Sequence, residues 1–221
     1  MKQQSRLKSY VKRSGRLTNS QKKFLEKKEY DINFFNFNKI LSYQELFNNT
    51  NPCILDIGFG DGKLLTNIAK NFQNLNFIGI EVYDAGVGNI LKQITENKLN
   101  NLKISSCDAI EFLENHVTDK SLYGISLFYP DPWPKKKHHK RRIIDKSFLN
   151  LVSKKINKGG FLKIATDWSN YADDIIELIG GNYNFEKEND RYLFKNRILT
   201  KFEKRGILLG HRITELCYKV K

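Results

Sequence analysis

Cysteines and long apolar runs are scarce in this sequence. The three cysteines, Cys53, Cys107 and Cys217, are far apart and odd in number, which argues against a disulfide framework or a zinc knuckle. No apolar run approaches the roughly 18 residues that a membrane-spanning helix needs, and the basic N-terminus has no apolar stretch behind it. We therefore expect a soluble, cytoplasmic protein with reduced cysteines, and the 221 residues are enough for one substantial domain.

Acidic residues are almost missing from two stretches of the chain. Residues 1–28 carry ten Lys or Arg and one acid, and residues 135–142 carry six Lys or Arg and no acid. The formal net charge of +14 is therefore localised, and the rest of the chain is close to neutral. Clustered positive charge favours a phosphate-bearing partner, because neutralising phosphates releases condensed counterions. The sequence thus indicates nucleic-acid binding, with a merely solubilising surface as the alternative.

Apolar runs of strand length alternate with amphipathic segments of helix length from Pro52 onward. Such alternation predicts a mostly parallel sheet covered by helices on both faces. Two late strand-like segments, "FEKE" and "RITELCYKV", have no regular helix between them and predict an antiparallel edge strand. We expect a basic arm over residues 1–30, mobile until something orders it, and one α/β domain over residues 31–221.

A glycine turn, "LDIGFGDG", includes the end of the first predicted strand. Glycine lets the chain turn sharply into a helix and lets a ligand approach the backbone. The spacing is GxGxG, with Lys63 where a dinucleotide fingerprint needs a further glycine, and Asp56 precedes Gly58 and Gly60. An acid beside the turn repels a pyrophosphate and attracts an ammonium group. The turn therefore favours S-adenosylmethionine over a dinucleotide.

Three more acids follow successive predicted strands. Glu81 closes the second strand, where it could accept hydrogen bonds from both ribose hydroxyls, and Asp108 follows the third, where it could reach the adenine. Asp131 follows the fourth, between prolines that prevent the sheet from continuing. Each acid alone could be a helix cap or a turn residue. Together they converge on the crevice where ligands bind in open α/β sheets.

Seven motifs along the chain carry a resemblance to a known family. They are, in order, "VKRSGRLTNSQ", "DIGFGDG", "GIEVYDAGVGN", "CDA", "FYPDPWPKKKHHKRR", "ATDWSNYA" and "RILTKFEKRGILLGHRITEL". In order and spacing they resemble the bacterial tRNA (guanine-N7-)-methyltransferase family, which belongs to the Rossmann-like class I methyltransferases. The resemblance covers nearly all of the chain. It departs from the family pattern at Asp56, where glutamate is common, and at Tyr129, where phenylalanine is common.

The resemblance implies a seven-stranded class I fold and a reaction. The reaction is transfer of the methyl group of S-adenosylmethionine to N7 of the variable-loop guanine, position 46, of tRNA, without a metal. Asp131 is then the candidate catalytic residue. Cofactor contacts are implied at Asp56, Glu81, Asp108 and Asp131, beside Gly58 and Gly60 of the turn. Contacts to tRNA are implied at Lys135, Asp167, Thr200, Lys201, Phe202 and Glu203.

Several alternatives stay open. The segment "TKFE" is also a capping box, so Thr200 and Glu203 could simply start a helix, and both roles can coexist. Trp133 or Tyr129 could stack on the base, although an aromatic beside a proline is more often a packing residue. The rival functions are S-adenosylmethionine-dependent methylation of another RNA and non-catalytic RNA binding by a protein that kept the fold. The sequence leaves open whether the protein is a monomer or a homodimer.

Overall fold

The computed structural model describes residues 7–11, 15–26, 32 and 40–221. The predicted boundary between arm and domain, at residues 30 and 31, lies outside the described residues. From Cys53 to Val220 strands and helices alternate, as the apolar pattern predicts.

Seven strands form one sheet. They are β1 (Cys53–Ile57), β2 (Asn76–Ile80), β3 (Leu102–Ser105), β4 (Leu122–Phe128), β5 (Ile156–Thr166), β6 (Phe185–Lys187) and β7 (Thr214–Val220). Their order across the sheet is β3-β2-β1-β4-β5-β7-β6. The first five pair in parallel, and β4 lies beside β1, so the loop after β4 that contains Asp131 leaves the sheet next to the glycine turn after β1.

The antiparallel strand lies one position in from the edge of the sheet. β7 pairs antiparallel with β5 on one side and with β6 on the other. The antiparallel edge predicted from the two late segments is therefore present, with the three-residue β6 as its outermost strand.

Helices cover both faces of the sheet. In the described residues they are α1 (Asn19–Leu25), α2 (Tyr43–Phe47), α3 (Lys63–Asn71), α4 (Asp84–Asn97), α5 (Ala109–His116), α6 (Lys146–Lys155), α7 (Ser169–Gly180) and α8 (Lys201–Leu208). Alternate residues of a strand point to opposite faces: Leu55 packs in one buried apolar core and Ile54 in the other. Because α3, α4 and α5 begin soon after β1, β2 and β3, the loops that connect each strand to its helix all lie at the carboxyl ends of the parallel strands.

Candidate active site

The turn after β1 has a backbone conformation that suits glycine. Gly58, Gly60 and Gly62 have φ angles of 76°, 61° and 77°, in a left-handed region that residues with a Cβ rarely adopt. A Cβ on Gly62 would lie 2.7 Å from side-chain atoms of Ile90, so this glycine also lets α3 approach α4. A Cβ on Gly58 would meet nothing within 4 Å. The space above the turn is therefore open to a ligand.

A crevice at the carboxyl ends of the parallel strands consists of two adjoining cavities. The first has a volume of about 570 Å³ and contains Asp56 in its wall. The second has a volume of about 180 Å³ and contains Asp108 and Asp131. The volume of the first is within the range of small-molecule sites. The residues that line both cavities are Gly58, Gly60, Glu81, Tyr83, Phe128 and Phe202. The four acids predicted from the sequence thus border one crevice.

Asp56 is buried in β1, and its Oδ1 accepts a hydrogen bond of 2.5 Å from Ser126 Oγ on β4. Burial raises the pKa of the Asp56 carboxyl to about 7, and the charge of Glu81 acts in the same direction. The hydrogen bond from Ser126 opposes this rise, and no cation of the described residues is among the charges that act on Asp56. The crevice therefore holds a buried carboxyl group that a positively charged ligand group would stabilise in its ionised form.

Glu81, also buried, connects the turn after β1 to the loop after β2. Its Oε2 accepts from Gly60 N at 2.9 Å, and its Oε1 accepts from Val82 N at 2.7 Å and from Tyr83 N at 3.2 Å. Burial raises its pKa, against these three backbone hydrogen bonds. A carboxylate has about four acceptor positions. Glu81 can therefore accept a further hydrogen bond from a ligand while it holds the two loops together.

Asp108 is the N-cap of α5. Its Oδ1 accepts from Ile110 N at 2.9 Å and from Glu111 N at 3.2 Å. Its Oδ2 lies 3.3 Å from Lys8 Nζ, and the same ammonium lies 2.6 Å from Glu111 Oε1. The capping role that the sequence allowed is therefore present, at a position that also borders the smaller cavity.

Asp131 lies exposed in the loop that leaves β4. On either side of it, Tyr129 and Trp133 have φ angles of 57° and 45°, a conformation that costs about 1–2 kcal/mol for a residue with a Cβ. Neighbouring groups hold these strained residues. Tyr129 N donates to the Ala165 carbonyl at 2.7 Å, and Trp133 Nε1 donates to the Ser9 carbonyl at 2.9 Å. The indole N–H of Trp133 is thus already bonded.

The N-terminus of α8 lies over the glycine turn. Thr200 is the N-cap: its Oγ1 accepts from Glu203 N at 3.1 Å, and Glu203 Oε2 accepts from Thr200 N at 3.2 Å, which completes a capping box. Phe202 is 55% exposed and borders both cavities, and its ring would lie 3.9 Å from a Cβ on Gly60. Lys201 borders the larger cavity. The first turn of α8 therefore forms the wall opposite the glycine turn.

A buried ion network ties α8 to the sheet. Glu203 is buried, and its two oxygens lie 2.6 and 3.0 Å from the terminal nitrogens of Arg197. Arg197 also pairs with Glu215 on β7, and its guanidinium lies 5.0 Å from the ring centroid of Phe128. Glu215 in turn pairs with the buried Lys163 of β5. Neither Arg197 nor Lys163 was predicted from the sequence, although a lysine inside the apolar run "GGFLKIATD" is a signal for a buried, paired cation.

Asp167, which follows β5, lies against α8. Its Oδ2 is 3.0 Å from His211 Nδ1. A Cβ on Gly206 of α8 would lie 2.8 Å from the same oxygen, so the absence of a side chain at Gly206 makes room for Asp167. Asp167 thus lies against the C-terminal half of α8, the helix whose first turn the resemblance groups with it.

Comparison with known proteins identifies the family. A family model described as "Putative methyltransferase" matches residues 50–216. The tRNA (guanine-N(7)-)-methyltransferase of Francisella philomiragia subsp. philomiragia is 42% identical over 217 residues, which are 96% of this chain and 94% of that protein. The protein of the same name from Colwellia psychrerythraea is 41% identical over 220 residues, 98% of this chain and 90% of that protein. The chain belongs to the tRNA (guanine-N7-)-methyltransferase family.

Solved structures support the fold of this methyltransferase. The protein of "Structure of an Antibiotic Related Methyltransferase" matches it with a TM-score of 0.57 at 20% identity, covering 82% of this chain and 94% of that chain. The Rossmann-like class I fold predicted from the sequence is confirmed.

The basic segment after Asp131 begins at Lys135, which is exposed and is the N-cap of a 3₁₀ helix, Lys136–Arg141. The Arg141 guanidinium lies 5.1 Å from the ring centroid of Trp133. Arg142 differs from the rest, because it is 5% exposed. Because a buried guanidinium does not reach an RNA backbone, the phosphate contacts expected from the charge of residues 135–142 stay a prediction for the other five cations of this segment.

The arm segment of residues 7–11 crosses the crevice of the methyltransferase. Tyr83, after β2, donates its hydroxyl hydrogen to the Val11 carbonyl at 2.9 Å. Trp133, after β4, bonds the Ser9 carbonyl, and Lys8 bonds the acid that caps α5. Three successive loops thus hold this arm segment across the smaller cavity. The sequence predicted an arm that is mobile until something orders it, and the structure shows which loops hold its described part.

The remaining part of the arm that the structure describes, residues 15–26, contains α1. Thr18 and Gln21 form a capping box at the start of this helix. Gln21 Nε2 also lies 3.2 Å from Asn89 Oδ1 on α4, and a Cβ on Gly88 would lie 2.8 Å from the Gln21 carbonyl oxygen. The arm therefore packs closely on α4 beside the larger cavity.

All three cysteines are free thiols, and Cys53 and Cys217 are buried. Among the described residues, no group of three or more His, Cys, Asp or Glu side chains is arranged to hold a metal ion. No helix in this part of the chain is long and apolar enough to cross a membrane.

Proposed function

We propose that this protein transfers the methyl group of S-adenosylmethionine to N7 of the variable-loop guanine, position 46, of tRNA. The observation that carries the proposal is family membership along nearly the whole chain. The crevice of acids at the carboxyl ends of the parallel strands supports it. Binding to tRNA and a cytoplasmic location belong to the same proposal.

The residues of the crevice fit S-adenosylmethionine. The space above Gly58 leaves room for the cofactor beside the backbone, and the buried Asp56 suits its ammonium group. Glu81 has acceptor capacity left for a ribose hydroxyl, and Asp108 borders the cavity where the adenine would lie. When bound, the cofactor supplies an electrophilic methyl group. The protein's own task is to bind, orient and stabilise.

The chemistry of guanine N7 decides what else the protein must supply. N7 carries an in-plane lone pair and no proton, so the reaction needs no general base at this atom. Methylation leaves positive charge on the ring. The useful contributions are therefore alignment of N7 with the methyl group and a carboxylate near the developing charge. We assign the second role to Asp131, which lies at the mouth of the crevice.

Recognition of guanine is assigned to Asp167 and to the segment from Thr200 to Glu203. A carboxylate can accept from the N1 and N2 hydrogens of guanine, and adenine does not present this pair of donors. Loss of such a buried contact costs on the order of 1–3 kcal/mol. Because Glu203 is buried and pairs with Arg197 through both oxygens, whereas the Asp167 side chain is 25% exposed, we assign the base contact to Asp167 and assign Glu203 to fixing the first turn of α8.

The test uses purified protein, isotopically labelled S-adenosylmethionine and two tRNA transcripts. One transcript has guanine in the variable loop at position 46, and the other has adenine there. The expected result is 7-methylguanosine in the first transcript and no methylation in the second, located by mass spectrometry. Methylation of ribosomal RNA alone, or a product other than 7-methylguanosine, would overturn the proposed function.

A further inference from the structure

Arg142 is the last cation of the basic segment and differs from its neighbours in burial. It is 5% exposed, whereas Lys135 and Lys140 are exposed. A long charged side chain is rarely buried unless its charge is paired. Arg142 therefore has a role other than phosphate binding.

All three guanidinium nitrogens of Arg142 have partners. Nε donates to the Pro132 carbonyl at 2.9 Å. Nη1 pairs with Asp174, and Nη2 lies 3.0 Å from Asn170 Oδ1. The guanidinium also lies 4.6 Å from the ring centroid of Tyr171. Asn170, Tyr171 and Asp174 all belong to α7, so one side chain joins the loop after β4 to this helix.

The carbonyl that accepts from Arg142 belongs to Pro132, the residue directly after Asp131. Pro132 lies between Tyr129 and Trp133, the two strained residues of the loop. A loop that contains two left-handed residues keeps its shape only where surrounding contacts fix it. The bond from Arg142 is a buried contact of this kind, made from a rigid helix-bound group to the backbone next to the candidate catalytic carboxylate.

We propose that Arg142 is a positioning residue, which holds the Asp131 loop in the conformation that methyl transfer requires. The proposal rests on the role assigned above to Asp131. Two consecutive arginines thus do different work. Arg141 lies over Trp133 on the RNA-facing side, and Arg142 fixes the backbone beneath it.

The test compares Arg142→Lys and Arg142→Ala with Lys140→Ala, an exposed cation two residues away. For each protein, kcat, KM for tRNA and the salt dependence of tRNA binding are measured. Arg142→Lys keeps the charge and loses the planar guanidinium with its five N–H donors. It should lower kcat by about tenfold to 100-fold, with KM and the salt dependence unchanged. Lys140→Ala should raise KM and weaken the salt dependence while kcat stays within about twofold of wild type.

A second measurement separates positioning from general loss of structure. Circular dichroism and Tm establish which variants fold. If Arg142→Ala does not fold, the comparison is made with Arg142→Lys. In a folded Arg142→Ala protein, millimolar methylguanidinium should restore part of kcat, because it can occupy the vacated space and donate to the Pro132 carbonyl. The same addition should leave Asp131→Ala inactive.

Three outcomes are decisive. An unchanged kcat in folded Arg142→Lys, or a raised KM with a weaker salt dependence, overturns the positioning role. A wild-type kcat in Asp131→Ala combined with a loss in Arg142→Lys also overturns it, because Arg142 would then act on something other than Asp131. The proposed function fails separately, if wild-type protein forms no 7-methylguanosine.

Discussion

When ionised, the Asp56 carboxylate lowers the stability of the folded protein, and the same charge is suited to bind the ammonium group of the cofactor. Its pKa in the folded protein, about 7, is above the ordinary value of 3.8, so the folded state holds the proton more tightly than the unfolded state does. Stability from this group is present below pH 4 and is lost as the pH rises through about 7. The ionised form that an ammonium ligand prefers is therefore the form that the folded protein tolerates least.

Asp56→Asn should remove this pH dependence. We expect the free energy of unfolding of wild type to fall relative to the variant by on the order of 1–3 kcal/mol between pH 5 and pH 8. Denaturant titration at the two pH values measures the difference. Cofactor affinity should rise with pH in wild type and stay low and flat in the variant, measured by calorimetry. A constant stability difference across this range would contradict the raised pKa.

Asp131→Ala should abolish catalysis and leave binding largely intact. The carboxylate is exposed and is assigned to the charge that develops on guanine, so its removal should lower kcat by roughly 100-fold or more. The dissociation constant for tRNA should change by less than about threefold. Asp173→Ala, an exposed acid on α7, is the matched control and should behave as wild type. Equal methylation rates for Asp131→Ala and wild type would remove Asp131 from the mechanism.

Sequence alone located the acids of the crevice but not the buried cations. Asp56 lies near the end of β1, and Glu81, Asp108 and Asp131 follow β2, β3 and β4. The alternation of apolar runs was therefore enough to bring the four acids to the carboxyl ends of the parallel strands. Arg142 could not be distinguished from its five cationic neighbours, because its burial depends on α7, about 30 residues further along. The same holds for Arg197, whose partners lie on α8 and β7.

At the scale of elements, α8 shows how one local pattern serves two purposes. The capping box of "TKFE" starts the helix, and the same turn forms a wall of the crevice. The sequence predicted both possibilities. In the fold, Glu203 turns inward to Arg197 while Phe202 turns outward to the cavity, and contact of this turn with tRNA stays a prediction.

Thr200→Ala should loosen this wall without unfolding the protein. Loss of the N-cap hydroxyl costs about 0.5–2 kcal/mol of helix stability, so kcat/KM should fall by up to about tenfold. Hydrogen exchange at the Glu203 amide, which now donates to Thr200, should accelerate. Thr200→Ser keeps the hydroxyl and should restore both values. If Thr200→Ala and Thr200→Ser behave alike, the cap does not set the position of the first turn.

The order of strands marks the limit of prediction at this scale. The parallel half of the sheet follows from apolar runs separated by helices of sufficient length, and the structure agrees with it from β1 to β5. The arrangement of the antiparallel half depends on which strands β7 pairs with. Its pairing with β5 over six residues is settled by packing in both cores, and the three residues of β6 add only an outer strand.

At the scale of the whole molecule, the cations of residues 135–142 follow β4 and therefore lie at the same end of the sheet as the crevice. Lys135 and Arg141 lie next to the loop of Asp131. Lys70, at the end of α3, and Lys158, near the start of β5, lie toward the amino ends of the strands. The protein should therefore bind RNA on one side only.

Lys135→Ala combined with Arg141→Ala should weaken tRNA binding and lower the slope of log affinity against log salt by about 1–2. Filter binding across a salt series measures this slope. Lys70→Ala combined with Lys158→Ala removes the same charge at the amino ends of the strands. This double variant should leave the slope of log affinity against log salt unchanged. A similar loss in both double variants would mean that net charge alone, rather than its placement, governs binding.

The arm segment of residues 7–11 is attached largely through its main chain, since the carbonyl groups of Ser9 and Val11 accept the bonds from Trp133 and Tyr83. Any residue at positions 9 and 11 would offer the same oxygen atoms. The side chains at these two positions can therefore be substituted during evolution without loss of these two hydrogen bonds. An alanine scan of the arm would overlook it, and only Trp133→Phe or Tyr83→Phe, made on the other partner, would reveal it.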